Sequence, residues 1–211
     1  MLFVASPNNP SGLVTPLAAI ERLLRLPLLV VVDEAYLEFA SVRPEGNASQ
    51  LVGQHPNLAV LRTFSKWAGL AGLRVGYGLL PEELAGHLWK IKQPYNISVA
   101  GQAAALASLE DVGYLRGNVA QIVAERGRVY AALAELPGLQ PYPSDANFIL
   151  CRVTGGDALE LKRALERQGI LVRHYRKPGL RDCIRLSIGT PRQNDALLGA
   201  LGDALGSRQG H

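Results

Sequence analysis

The run Leu28–Val32, read LLVVV, constrains the fold of this chain more than any other stretch. It is apolar without a break and rich in β-branched valine, which is typical of a strand covered on both faces of a parallel sheet. Three further apolar runs predict neighbouring strands: Leu2–Ala5, Leu58–Leu61 and Val75–Leu80. The sequence therefore predicts an α/β fold built on a mainly parallel sheet, which helices cover to give three layers.

A helical pattern separates the first two predicted strands. Thr15 is the expected N-cap and Pro16 the first helical residue. The apolar stripe that follows consists of Ile20, Leu23 and Leu24. Strand, helix and strand in this order form a βαβ unit, whose two strands run parallel.

The pattern changes from Pro81 onwards, where helices outnumber strands. Helices are predicted in PEELAGHLWKI, in the alanine-rich VAGQAAALASL, which we expect to be buried, and from Val112 to Leu136. Then follow strand NFILCRV, helix DALELKRALERQG, strands ILVRHY and CIRLSIG, and a helix from Pro191 to about Leu205. We therefore predict a sheet-based domain over 1–110 and a smaller α+β domain over 111–211, with a disordered SRQGH tail.

Composition argues against several classes of function. The 211 residues carry a net charge of +4, but no block of basic residues predicts a nucleic-acid partner. No apolar run approaches the ~20 residues of a membrane span, and the N-terminus is unlike a signal peptide. Cys151 and Cys183 lie far apart, and the four histidines lack the spacing of metal ligands. We therefore expect reduced thiols, no metal site, no membrane partner and a cytoplasmic protein.

The first candidate for chemistry is the end of the valine-rich strand. Asp33 closes that run, and Glu34 and Tyr36 follow it. Ligands of open α/β sheets bind outside the carboxyl ends of the strands, where a carboxylate can hold a cationic ring nitrogen or a metal. The same residue could equally be a helix N-cap or an ordinary loop carboxylate. This stretch by itself does not distinguish a ligand-binding carboxylate from a capping or loop carboxylate.

The second candidate is the segment TFSKWAGLAGLRVGYG. Thr63 and Ser65 precede Lys66, and Arg74 follows eight residues later across a glycine-rich stretch. Hydroxyls with an arginine suit a phosphate, and a lysine set beside such a group is a candidate Schiff-base nucleophile. The alternative is a solvated surface lysine. The glycines form neither a dinucleotide fingerprint nor a Walker A loop.

Together these segments carry a resemblance. PNNPSG, DEAY and TFSKWAGLAGLRVGY resemble, in order and spacing, the active-site segments of fold-type I aminotransferases that use pyridoxal 5′-phosphate (PLP). In the second half, KQPYNISVAGQAAALASLED, SDANFIL and GILVRHYRKPGLRDCIRLSIGT resemble the histidinol-phosphate aminotransferases. The resemblance runs from residue 1 to about residue 205. It implies the PLP-dependent transferase fold, with part of the large domain followed by a smaller α+β domain.

The resemblance implies a role for each residue around the cofactor ring. Lys66 would carry the cofactor as a Schiff base and then move the proton of the substrate. Asp33 would pair with the pyridine nitrogen and keep it protonated. Tyr36 and Asn9 would donate hydrogen bonds to the phenolic oxygen, and Asn9 would also border the substrate.

The resemblance also implies the groups that bind anions. Arg74, Ser65 and Thr63 would hold the cofactor phosphate. Arg173 and Arg185 resemble the arginines that bind the substrate anion, since a fixed, permanently charged guanidinium suits both phosphates and carboxylates. The alternative for these two is an arginine at a sheet surface with no ligand.

The activity implied is transfer of the amino group of L-histidinol phosphate to 2-oxoglutarate, giving imidazole acetol phosphate and L-glutamate in histidine biosynthesis, by a homodimer. The alternatives are another fold-type I PLP enzyme, namely a threonine-phosphate decarboxylase or an aromatic aminotransferase, or a non-catalytic fragment. The resemblance does not include the family's N-terminal segment, which supplies a glycine-serine loop that binds the cofactor phosphate. We therefore expect part of the cofactor site to be missing from this chain.

Overall fold

The computed structural model of the chain describes residues 1–40 and 46–206, so the predicted SRQGH tail lies outside the described residues. The chain divides into two units. The first comprises Met1–Asn9 and Leu13–Val119, and the second comprises Pro10–Gly12 and Ala120–His211. The changeover at Val119 lies nine residues beyond the predicted boundary at residue 110. The division into two domains stays a prediction.

The first unit is built on a four-stranded sheet, sheet A. Its strands, in spatial order, are β1 (Leu2–Ala5), β2 (Val30–Asp33), β3 (Leu58–Thr63) and β4 (Gly76–Leu79). The first three strands run parallel, and β4 runs antiparallel to β3. This arrangement confirms the mainly parallel α/β fold. Strands β2 and β3 continue to Asp33 and Thr63, so both residues are part of the sheet rather than of the loops that follow.

One helix covers one face of sheet A. The apolar side of α1 (Leu17–Leu24) packs through Ile20 and Leu24 against valines and leucines of β2 and β3. The N-cap is Pro16, so the prediction that Thr15 caps this helix is wrong. The helical hydrogen bonds begin at Pro16, whose carbonyl oxygen accepts from the Ala19 and Ile20 amides, and the Thr15 amide instead donates to Ser6 Oγ at 3.0 Å in the loop after β1.

Two further helices of the first unit are largely exposed. They are α2 (Glu82–Ile91) and α3 (Val99–Glu110). The prediction that α3 is buried is wrong, because Val99 is 82% exposed and Gly101 is its one residue in the buried class. Alanine-rich sequence favours a helix but gives it no apolar stripe to direct inwards. A Cβ on Gly101 would lie 3.1 Å from Val75 Cγ2 and 3.2 Å from the Leu73 carbonyl oxygen, and this close approach fixes the start of α3.

The second unit combines an antiparallel sheet with three helices. Helix α4 (Val112–Ala134) begins in the first unit and ends in the second. Sheet B has the order β5 (Leu139–Pro141), β6 (Phe148–Val153), β8 (Cys183–Ser187) and β7 (Arg173–His174). Helices α5 (Ala158–Arg167) and α6 (Pro191–Gly206) pack with α4 on one face of this sheet. The sequence did not predict β5, and the strand predicted in ILVRHY is only two residues long.

Alternation along the strands explains how sheet B packs. Ile149, Cys151 and Val153 of β6 point to the helices and are buried in one continuous core. The intervening side chains point to the opposite face, as the period of two requires. None of the helices within residues 1–40 and 46–206 has the length and apolar character needed to cross a bilayer.

Candidate functional site

The loop after β1 starts beside the end of β2. The Ser6 amide donates to the Asp33 carbonyl oxygen at 2.8 Å, which continues the parallel pairing of Ala5 with Asp33. The Asn8 amide then donates to the Leu13 carbonyl oxygen at 2.8 Å and closes the loop. Asn9, the residue expected at the cofactor ring, lies at the exposed tip of this loop.

Asp33 is the last residue of β2, and its carboxylate is held in place. The Ala35 amide donates to Asp33 Oδ1 at 3.0 Å, so the chain turns around the side chain immediately after the strand. The residue is half-buried at the carboxyl end of a central strand. This is where an open α/β sheet binds its ligands. Asp33 is therefore not the N-cap of a regular helix: only a short 3₁₀ turn, Leu37–Phe39, follows it.

Tyr36 and Lys66 come together although thirty residues separate them. Lys66 Nζ lies 5.5 Å from the centroid of the Tyr36 ring, a distance at which an ammonium group is attracted to the ring face. The lysine is exposed in a turn that follows β3. Hydrogen bonds from Gly69 N to the Lys66 carbonyl oxygen at 3.3 Å and from Leu70 N to the Phe64 carbonyl oxygen at 3.1 Å close this turn.

The three residues expected at the cofactor phosphate differ in their surroundings. Thr63 Oγ1 donates to the Val75 carbonyl oxygen at 3.2 Å and accepts from the Ser65 amide at 3.0 Å, so its proton is directed to the protein. In this conformation the Thr63 hydroxyl braces the turn. Arg74 is exposed and has a left-handed backbone with φ of 57°, which is uncommon for a residue other than glycine. Its Nη1 donates to the Ala71 carbonyl oxygen at 3.1 Å.

A charged cluster that the sequence analysis did not single out lies next to these residues. Arg62 Nε donates to Glu34 Oε2 at 2.8 Å, and Arg62 Nη1 donates to Glu38 Oε1 at 3.1 Å. Glu34 is only 2% exposed, and its second oxygen accepts from the Ala48 amide at 3.0 Å. Burial raises the pKa of both carboxyls above the ordinary value, and Arg62 opposes that rise. The available signal was a charged residue, Arg62, directly after the apolar run Leu58–Leu61.

The two arginines expected at the substrate anion form a cross-strand pair in the second unit. Arg173 of β7 stands directly opposite Arg185 of β8, so both side chains leave the same face of sheet B. The Arg185 guanidinium carbon lies 4.8 Å from the centroid of the Phe148 ring, and that of Arg173 lies 5.7 Å from the Tyr175 ring. Arg185 is half-buried, whereas Arg173 is exposed. The pair presents two permanent positive charges on one face.

The donor set of the first unit suits an aromatic cofactor with a phosphate. It provides a strand-end carboxylate for a ring nitrogen, a tyrosine and a lysine side by side, and a hydroxyl and an arginine for an anion: Asp33, Tyr36, Lys66, Ser65 and Arg74. The described residues contain no group of three His, Cys, Asp or Glu side chains that could hold a metal ion. Cys151 and Cys183 are both free and buried.

One protein family matches the chain over nearly all of its length. The family of class I and II aminotransferases matches residues 1–201. The chain belongs to this family. Among curated proteins, a histidinol-phosphate aminotransferase of Roseiflexus castenholzii is 55% identical to this chain over 206 residues. That match covers 95% of this chain and 54% of the relative, so the chain spans about half the length of the relative it matches.

Solved structures of other aminotransferases have the same fold. The histidinol-phosphate aminotransferase of Clostridium acetobutylicum superimposes with a TM-score of 0.90 at 25% identity, covering 97% of this chain and 64% of the other. The enzyme of the same name from Sinorhizobium meliloti, solved in complex with pyridoxal-5′-phosphate, gives a TM-score of 0.84 at 35% identity and covers 98% and 57%. The aminotransferase fold therefore extends over essentially the whole of this chain.

Proposed function

We propose that the protein is a PLP-dependent aminotransferase of the histidinol-phosphate type, acting in histidine biosynthesis. It would transfer the amino group of L-histidinol phosphate to 2-oxoglutarate and give imidazole acetol phosphate and L-glutamate. The observation that carries this proposal is the approach of Lys66 Nζ to 5.5 Å from the centroid of the Tyr36 ring, beside the strand that ends in Asp33. The relatives named histidinol-phosphate aminotransferase support the choice of substrate.

Each ring-binding residue has a defined task. When bound, PLP supplies an electron-withdrawing pyridinium ring that makes the proton on the substrate Cα removable. Asp33 would hold a proton on the ring nitrogen, because an adjacent carboxylate favours the positive charge there. The Lys66 amine would act as the general base and acid that moves the proton of the substrate Cα. Tyr36 and Asn9 would donate to the phenolic oxygen and so set the plane of the ring.

The phosphate would be held by Ser65 and Arg74. Both lie in the segment after β3, and Thr63 keeps that segment in shape by bonding the Ser65 amide and the Val75 carbonyl. The planar guanidinium of Arg74 can donate two parallel hydrogen bonds to phosphate oxygens. Thr63 therefore acts in this proposal as a brace behind the phosphate group.

The cross-strand arginines would bind the substrate anion. Two guanidinium groups that face each other repel, and an anion between them would relieve that repulsion. Phosphate and carboxylate both accept the paired N–H donors of Arg173 and Arg185, which suits an enzyme whose two substrates carry these different anions. We expect Arg185→Ala to weaken the use of both substrates, because it removes the half-buried member of the pair.

The central experiment is a titration of the purified full chain with PLP, followed by visible absorption. The wild-type protein should give the band of protein-bound cofactor, and Lys66→Ala should lose it, because it lacks the amine. Lys92→Ala is the matched control, since Lys92 is also an exposed lysine beside an aromatic ring, with Nζ 5.1 Å from the Trp89 ring centroid. Equal loss of the band in both variants, or no band in the wild type, would rule out the proposed role of Lys66.

Substrate assays separate the proposed reaction from its alternatives. Formation of imidazole acetol phosphate from histidinol phosphate supports the proposal. Release of CO₂ from threonine phosphate, or amino transfer from aromatic amino acids alone, would identify a different PLP enzyme on the same fold. A protein that binds PLP and turns over none of these substrates would be a non-catalytic fragment.

We further propose a homodimer in the cytoplasm. The first unit exposes several large apolar side chains along α2 and the residues after it, among them Trp89, which is 71% exposed, and Ile91, which is 77% exposed. Exposed apolar surface of this extent is typical of an interface. Ile91→Lys should shift the sedimentation coefficient towards the monomer, whereas Leu171→Lys, at an equally exposed leucine of the second unit, should not. A monomeric wild type would contradict the dimer.

A further inference from the structure

The charged cluster of Glu34, Glu38 and Arg62 has no task in the proposed reaction. It nevertheless adjoins two of its residues along the chain, because Glu34 follows Asp33 and Arg62 precedes Thr63. The Glu34 amide also donates to the Leu61 carbonyl oxygen at 2.9 Å, which extends the pairing of β2 with β3 by one step. The cluster therefore ties the last residues of the two central strands to each other.

The cluster and the cofactor residues lie on opposite faces of sheet A. Successive side chains of a strand alternate between faces. Asp33 pairs in register with Leu61, so Asp33, Leu61 and Thr63 share one face, while Arg62 points to the other. The α1 face thus carries the ion pair, and the ligand-binding face carries Asp33 and Thr63, with one backbone thickness between them.

Stability alone is a poor explanation for this arrangement. Removing charges from water is costly, and a well-packed apolar pair in their place is often neutral or stabilising. The neighbouring side chains on this face, Val32 and Val60, are buried valines. Apolar residues in place of Glu34 and Arg62 would therefore fit the same environment. The raised pKa of Glu34 indicates that burial opposes its charge despite the contact with Arg62.

We propose that Glu34 and Arg62 are a positioning pair that sets the ends of β2 and β3, and through them the Asp33 carboxylate and the Thr63 hydroxyl, for a ligand with a protonated ring nitrogen. This inference rests on the proposed function for the identity of the ligand. The directional hydrogen bond from Arg62 Nε to Glu34 Oε2 fixes both spacing and angle, which non-directional valine packing does not.

Two backbone amides report on the positions of these side chains without any ligand. The Ala35 amide donates to Asp33 Oδ1, and the Ser65 amide donates to Thr63 Oγ1, both at 3.0 Å. The Gly101 amide, which donates to Ser98 Oγ at 3.0 Å where α3 begins, is a control of the same type in another part of the first unit. Hydrogen exchange of these amides measures how well each bond is held.

The first test uses Glu34→Gln and the double variant Glu34→Gln/Arg62→Met. The glutamine retains an oxygen for the Ala48 amide, and the double variant removes the charge of Arg62 together with that of Glu34, so neither member of this pair is left buried without the other. We expect the Ala35 and Ser65 amides to exchange about tenfold faster in both variants while the Gly101 amide is unchanged. Equal acceleration at all three amides, or at none, overturns the positioning pair.

The second test measures affinity for PLP and for deaza-PLP, in which a C–H group replaces the ring nitrogen. The double variant should lose roughly tenfold in affinity for PLP and clearly less in affinity for deaza-PLP, because deaza-PLP lacks the nitrogen that Asp33 would pair with. A purely structural role would weaken both ligands alike and so overturns the inference. If the wild type binds no PLP, the proposed function fails, and amide exchange alone decides the positioning pair.

Discussion

The two units of this protein bury their apolar side chains to very different degrees. The second unit has one continuous core that runs from Val129 to Leu205 and joins α4, α5, α6 and sheet B. The first unit has two smaller clusters, one under α1 and one around Phe64. Among the described residues, the large apolar side chains that are exposed belong to the first unit, with Leu171 as the one exception.

The difference follows from what covers each sheet. The three helices of the second unit lie on one face of sheet B, which satisfies an antiparallel sheet. A parallel sheet needs cover on both faces. Sheet A has α1 on one face, whereas Phe3 and Leu61 on the other are 67% and 37% exposed. The second unit therefore buries its apolar side chains by itself. The first unit leaves apolar side chains exposed on sheet A, where another protein surface can cover them.

The largest expected effect is the loss of a core side chain in the second unit. Leu161→Ala removes a fully buried side chain of α5 and should lower the free energy of unfolding by about 2–5 kcal/mol, because it leaves a cavity. Leu171→Ala, at a position that is 82% exposed, should change it by less than about 0.5 kcal/mol. Urea unfolding followed by circular dichroism measures both. Equal effects would contradict the closed core.

A substitution with a smaller expected effect, Gly12→Ala, tests whether residues 10–12 belong with the second unit. Gly12 has φ of +77°, and a Cβ there would lie 2.2 Å from Ser144 Oγ. Gly12→Ala should lower the free energy of unfolding by about 1–3 kcal/mol and speed exchange of the Asp145 amide, which donates to the Gly12 carbonyl oxygen at 2.7 Å. Gly127→Ala, at an open helical position, is the control and should be neutral or stabilising. An unchanged exchange rate of the Asp145 amide would contradict the assignment of residues 10–12 to the second unit.

The next effect concerns strain that is stored in the first unit. Arg74→Gly removes a side chain from a left-handed backbone position and should raise the free energy of unfolding by up to about 1 kcal/mol. Arg74→Ala loses the same guanidinium but keeps the unfavourable φ, so it should give no such gain. Both variants should bind PLP more weakly. If alanine stabilises as much as glycine, the left-handed backbone carries no strain.

The smallest expected effect is a difference between the two units in how the free energy of unfolding depends on pH. Burial raises the pKa of Glu34 and Glu38 in the first unit, so their stabilising contribution is complete below the ordinary value of 4.5 and is lost as the pH rises through the folded pKa. Hydrogen bonds from Arg128 and Asn194 lower the pKa of Glu125 in the second unit, so its contribution is lost as the pH falls below 4.5.

The pH dependence of each unit can be measured separately, because each unit has its own reporter of unfolding. Both tryptophans, Trp67 and Trp89, belong to the first unit, so fluorescence follows that unit, and amide exchange follows the second. Urea unfolding from below pH 4.5 to neutral should show the first unit weakening as the pH rises. Glu38→Gln should flatten that dependence, and Glu125→Gln should flatten the acid limb of the second unit. Identical profiles from both reporters would remove the distinction between the units.

The sequence by itself determined most of the strands, most of the helices and the family of the chain. Strand LLVVV, helix Glu82–Ile91 and helix Val112–Ala134 were predictable because apolar periodicity and breakers are local properties of a chain. The order of the segments around Asn9, Asp33 and Lys66 indicated an aminotransferase, which the family match confirms. The individual site roles stay predictions.

Only the tertiary structure decided what each element packs against. The exposure of α3, the bonding of Thr63 to Val75, and the pairing of Arg173 with Arg185 depend on residues that are distant in the sequence. The same holds for the ion cluster around Arg62, whose partners lie twenty-eight and twenty-four positions away. Periodicity shows which face of an element is apolar, but strand register and long-range hydrogen bonds decide which neighbour that face meets.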